Sequence, residues 1–106
     1  MTDKIVVLST SGSAEEAEKI ARGLVEAKLA ACVNVVPGMR SFYRWEGNIE
    51  NAAEWLLVIK SSRKHFDALK TALEKLHSYE VPEVIVLPVI DGAQNYLNWM
   101  DAELGA

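Results

Sequence analysis

Two hydrophobic rhythms alternate along this chain. Ile5, Val6, Val7 and Leu8 supply β-branched and aliphatic bulk, Thr10-Ser11-Gly12-Ser13 interrupts it, and Ala17, Ile20, Ala21, Leu24 and Val25 then fall on one helical face. The pattern predicts a strand over Lys4–Ser9 and a helix ending near Leu29. Ser13, with Glu16 three residues later, fits a capping box, a device that contributes about 1 kcal/mol. Ala31–Val36 is a second strand, Pro37-Gly38 a turn or bulge signal, and Ser41–Trp45 an aromatic extension of the same strand. Glu46-Gly47-Asn48 supplies a hairpin turn into a strand over Glu54–Lys60. Ser62 is placed to cap a second helix, which runs to Leu76 with Phe66, Leu69, Leu73 and Leu76 on one side. Val84 to Leu87, between Pro82 and Pro88, has the look of a strand buried on both faces. After Asp91-Gly92 comes a terminal helix with Leu97, Met100 and Leu104 on one side and Tyr96 and Trp99 on an adjoining one.

The order is βαββαβ plus a helix. Right-handed crossovers then set the first and third strands in the centre, the second and fourth outside, and both main helices on one face. That is an α+β, ferredoxin-like sandwich. The second strand is too long for it: Ala31 to Trp45 spans about 50 Å at ~3.3 Å per residue, against roughly six residues for the first and fourth strands. Much of the hairpin must project. Alternation puts Tyr43 and Trp45 on one side of it and Phe42 and Arg44 on the other, so aromatics stand on both faces, a mark of interfaces.

Composition narrows the class. The chain has 106 residues, 50% hydrophobic and 25% charged, which suits one domain over 1–106. No apolar run approaches the ~20 residues of a membrane span, and MTDKIVVLST lacks the apolar stretch of a signal peptide. No membrane association and a cytoplasmic location are the default expectations. The single cysteine, Cys32, lies in an apolar Ala-Ala-Cys-Val context that suits a packing residue. The net charge is -4 and the bases are dispersed, so nucleic acid is not an expected partner.

Function must come from the site, because this fold hosts many. A copper chaperone of the same class needs paired cysteines in the first loop, where Ser11-Gly12-Ser13 stands. An acylphosphatase needs an arginine there, and Thr10 to Ala17 has no base. RNA recognition needs exposed aromatics on the central strands, and the third offers Trp55 alone. No serine has a histidine and carboxylate at motif spacing, so a binding role is expected rather than an enzyme. The segment HSYEVPEVIVLP, His77 to Pro88, is denser in chemistry than a strand entry needs. Among His77, Cys32, Tyr79, Glu80 and Glu83, His77 is the candidate metal ligand, since imidazole suits copper, zinc and nickel; the bland alternative is a helix-end histidine favoured by the dipole. His65 is expected at the surface. Tyr43, Trp45, Lys60, Tyr79 and Glu80 are expected to build a small-ligand pocket at a subunit boundary, with Lys60 holding an anion or closing a salt bridge.

LAACVN, VPG, the Ser-aromatic-Tyr-x-Trp-x-Gly hairpin, Tyr79-x-x-Pro82-Glu83 and Tyr96-Leu97-x-Trp99 occur in the order and approximate spacing of one family. On these motifs the chain resembles the CutA-like divalent-cation tolerance proteins over nearly its whole length. The resemblance implies a homotrimer with strands crossing between subunits, which would also cover exposed sheet edges. It implies a response to metal ions, with weak binding of copper or another divalent cation. Copper-binding relatives are associated with a cysteine ending the first strand and adjacent histidines before the Tyr-x-x-Pro; Ser9, Leu76 and His77 hold those places here. CutA-like trimers are also similar in architecture to PII-type signalling trimers, which leaves a ligand-sensing or scaffold role without direct metal binding as the alternative.

Overall fold

The computed structural model describes residues 1–105. Its elements run β1 (Lys4–Ser11), α1 (Ala14–Glu26), β2 (Cys32–Trp45), β3 (Asn48–Ser62), α2 (Phe66–Leu76), β4 (Ile85–Pro88) and α3 (Gln94–Leu104). The four strands form one antiparallel sheet in the order β2-β3-β1-β4, so β3 and β1 are central as the pattern predicts. The alternating period of a strand explains the rest of the layering. Ile5 and Val7 of β1 and Leu57 and Ile59 of β3 point to one face, where they are buried with Ala17, Ile20 and Leu24 of α1 and Leu69 and Leu73 of α2. Lys4 points to the other face, and α3 covers that end of it. Leu97, Met100 and Leu104 bury themselves there with Ala31. The Lys4 ammonium, nearly fully buried, meets Asp101 at 2.7 Å and also pairs with Asp3. Burial works against its charge, but the two carboxylates outweigh burial and raise its pKa.

Local chemistry sets the element boundaries. The Ser13 hydroxyl accepts from the Glu16 amide at 3.1 Å, so the cap forms. The reciprocal half of the expected capping box does not, because the Glu16 carboxylate is drawn away to Ser78 and His77. α1 stops at Glu26, earlier than Leu29, because Lys28 turns left-handed at φ 59° and the amides of Leu29 and Ala30 fold back onto the Leu24 carbonyl. Ser62 does not cap α2 directly. A 3-10 turn over Arg63–His65 intervenes, and the Ser62 hydroxyl pairs with His65 Nδ1 at 2.6 Å, leaving His65 half-buried rather than on the surface.

The hairpin is longer than its apolar residues alone indicate. β3 begins at Asn48 and pairs with β2 as far as Trp45↔Asn48. Glu46 and Gly47, both at positive φ, make the two-residue turn that matches strand twist. Pro37 and Gly38 form a bulge: the register steps from Val36↔Leu56 to Met39↔Glu54, adding one residue to β2. Beyond this bulge the ribbon has no helix packed on it, and no residue of β2 is fully buried. The expectation for the fourth strand needs correction. Ile85, Val86 and Leu87 are all exposed in the chain, because β4 is a four-residue edge strand paired only with β1. Its apolar run reflects a need for cover that the chain itself does not supply.

The core makes one clear test. Leu73→Ala removes a fully buried side chain between α2 and the sheet, and the unfolding free energy from denaturant titration is expected to fall by about 2–5 kcal/mol. A loss below ~0.5 kcal/mol, the size of a surface substitution, would contradict the packing described.

Candidate functional site

After α2 the chain crosses the end of the sheet, and His77 anchors the crossing. Its ring is fully buried. Nε2 lies 2.6 Å from the Thr10 carbonyl and Nδ1 lies 3.1 Å from the Tyr79 amide. A carbonyl only accepts and an amide only donates, so the neutral ring with its proton on Nε2 satisfies both. Nδ1 is also 3.3 Å from Glu16 Oε1. Burial of Glu16 opposes its charge, but hydrogen bonds from the Ser78 hydroxyl and amide and from Ser11 outweigh burial and hold its pKa below the usual carboxylate value. The ring of His77 leans on that of Tyr79, 4.7 Å between centroids. Both nitrogens thus have structural partners.

Tyr79 carries the crossing on to the hairpin. Its phenol donates to Glu54 Oε2 at 2.6 Å. Burial first, and then this hydrogen bond and the Glu54 charge, push its pKa well above the ordinary tyrosine value. Gly12 makes room for the ring, since a Cβ there would stand 3.0 Å from the phenol oxygen. Glu54 itself is only 7% exposed. Tyr43, Trp45, Phe42 and Tyr79, with Glu54, Glu80 and Glu83, line a cleft of about 670 Å³ at the root of the hairpin.

Of the five residues expected to form a pocket, Tyr43, Trp45, Tyr79 and Glu80 do line this cleft. Lys60 does not. It pairs with Val6 and Cys32, nearer the opposite end of β3, and its ammonium stands over the Tyr96 ring, 5.8 Å from the centroid. The reason is register: six residues of extended strand separate Lys60 from Glu54, about 20 Å at ~3.3 Å per residue. Cys32, its neighbour, is half-buried. Glu54 is the acidic cleft residue that sequence reasoning missed; Glu83, weighed there only as a metal donor, lines the cleft as well. The available signal was a lone carboxylate opening the apolar run Trp55 to Ile59, a place where a strand headed for the core has no need of charge.

Ser9, Leu76 and His77 do not assemble a metal centre among the described residues. Ser9 is fully buried on the helix-covered face of β1, with its hydroxyl unpartnered, and Leu76 offers no donor. His77 has both nitrogens engaged. Among the described residues, no group of three or more His, Cys, Asp or Glu is placed to hold a metal ion.

A family model for the CutA1 divalent ion tolerance protein matches residues 5–103. The chain belongs to the CutA1 family. It is 46% identical over 100 residues to the divalent-cation tolerance protein CutA of Thermus thermophilus, covering 94% of this chain and 97% of that one. It is 44% identical over 96 residues to a chloroplastic protein CutA of Arabidopsis thaliana, covering 91% of this chain and 53% of the relative. The crystal structure of CutA from Xylella fastidiosa superimposes with a TM-score of 0.95 at 42% identity, covering 97% of this chain and 99% of that one.

The raised Tyr79 pKa has a signed consequence. A group whose pKa is higher folded than unfolded gives stability that is present below its unfolded value, near 10, and is lost as pH rises through and beyond it. Alkaline titration, followed by tyrosinate absorbance, is expected to show one tyrosine ionising only with unfolding, and Tyr79→Phe to abolish that component. An ordinary tyrosine titration in the native protein, unaltered in Tyr79→Phe, would contradict the hydrogen bond to Glu54.

Proposed function

We propose that this protein is a divalent-cation tolerance protein that acts as a homotrimer of one ferredoxin-like domain, not as an enzyme, and resides in the cytoplasm. The observation that carries the assembly is the projecting ribbon. Phe42 and Trp45 are 70% and 48% exposed, Ile49 is exposed between them, and β4 adds an apolar edge. A soluble chain that leaves such a surface bare invites association, and closed symmetry among copies buries it without open-ended growth. The tolerance role comes from the family and its named relatives. No helix among the described residues is long and apolar enough to cross a membrane. The Arabidopsis relative is named chloroplastic, so the family does not fix a compartment.

Light scattering is expected to give a mass about three times the 11.7 kDa chain, and Trp45→Ala to weaken association and lower thermal stability. A stable monomer at micromolar concentration contradicts the reading. For the cellular role, cells lacking the protein are expected to grow at lower limiting copper concentrations than cells carrying it.

Whether copper meets the protein through His77 is a separate question. A metal there must displace the Tyr79 amide from Nδ1 or the Thr10 carbonyl from Nε2, which opposes tight binding. Calorimetric titration of copper into the parent and His77→Ala is therefore expected to give the same weak or absent uptake. Clear uptake by the parent that is lost in the variant would restore His77 as a ligand.

A further inference from the structure

From the cleft at the root of the hairpin we infer a binding site for a small organic ammonium ion. The inference rests on the reading above in one respect, since it assigns a ligand to a cleft whose wall is the ribbon used for assembly. Its observations lie within one chain.

The sign of the ligand's charge follows from the lining. With Lys60 far off on β3, no lysine, arginine or histidine borders the cleft, whereas Glu54, Glu80 and Glu83 do. Glu54 matters most. It is more than nine-tenths buried, one of its oxygens accepts from the Tyr79 phenol, and among the described residues no cation lies within ion-pair distance of it. The Tyr79 phenol engages one oxygen of Glu54, and the carboxylate borders the cleft, where its other oxygen is placed to accept from a cationic donor.

The ligand's body follows from the walls. Tyr43 and Trp45, with Phe42, line the cleft, and aromatic rings attract a cation that carries its own apolar surface. A bare metal ion fits less well. The carboxylates are not placed to converge on one ion, and a cleft of about 670 Å³ is of the size that takes a small molecule. An alkylammonium satisfies each feature: its N–H donates to Glu54 and its methylenes lie against Tyr43 and Trp45.

The test is calorimetric titration of 1,4-diaminobutane, 1,4-butanediol and magnesium chloride into the parent, Glu54→Gln and Tyr43→Leu, with light scattering on every sample. The diamine is expected to bind at one per chain. The diol, of similar length but neutral, is expected to give no heat of binding, and magnesium is expected not to displace the diamine at equal concentration. Glu54→Gln keeps an acceptor for the Tyr79 phenol while removing the charge, and at least tenfold weaker binding is expected; Tyr43→Leu keeps apolar bulk on an exposed position while removing the ring face, and weakening is expected there too. Equal binding of the diol, undiminished affinity in both variants, or displacement by magnesium overturns the inference. Absence of diamine binding by an intact trimer overturns it and leaves the assembly reading standing. A monomer in light scattering overturns the assembly reading, and the same titration still decides the cleft.

Discussion

Unequal strand lengths govern this molecule. β2 and β3 have 14 and 15 residues, whereas β1 has 8 and β4 has 4. Strands satisfy their backbone groups only where they have neighbours, so β3 is paired on both sides from Leu56 to Lys60 and only with β2 from Asn48 to Glu54. Helices α1 and α2 cover only the doubly paired part. The remaining ribbon carries Phe42, Tyr43, Trp45 and Ile49 into solvent, and a two-stranded ribbon alone is at best marginally stable. From this mismatch follow the elongated outline of 45 × 25 × 24 Å, the apolar surface left bare on the ribbon, and the cleft left where ribbon and sheet part.

The crossing from α2 to β4 is what gives the cleft its chemistry. His77 ties it to the end of β1 through Thr10, and Tyr79 ties it to the base of the ribbon through Glu54. One residue type at each point could not be exchanged freely. A ring with one donor and one acceptor is needed between a carbonyl and an amide, and a phenol is needed to reach a buried carboxylate past the space that Gly12 leaves. The same segment therefore positions the strand and lines the cleft, which explains why so many functional residue types crowd a short stretch of sequence.

The two amphipathic helices, the central place of β1 and β3, and the projecting hairpin were legible in the sequence because periodicity and length report them directly. The Ser13 cap and the bulge at Pro37 and Gly38 were legible for the same kind of reason, each being a local rule. What escaped was set by distant partners. The Glu16 carboxylate left its capping box for Ser78, 62 positions away, and Glu54 found Tyr79 only through the crossing. Lys60 was grouped with the pocket by residue type, yet strand register carried it toward Tyr96. The apolar run of β4 was read as burial, although the chain leaves it as an edge. Hydrophobic pattern records what a sequence needs covered and is silent on whether the cover belongs to the same chain.

The central claim is that the open edges and the ribbon are closed by other copies of the chain, and amide hydrogen exchange on the native protein tests it directly. Within one chain, the outward amides of β2 and β4 have no strand partner, and amides exposed to water exchange at the low-protection end of the range. The account predicts slow exchange along residues 39–50 and 85–88, with protection lost when dilution separates the copies. Fast exchange there at every concentration, beside a protected core of β1 and β3, would contradict it.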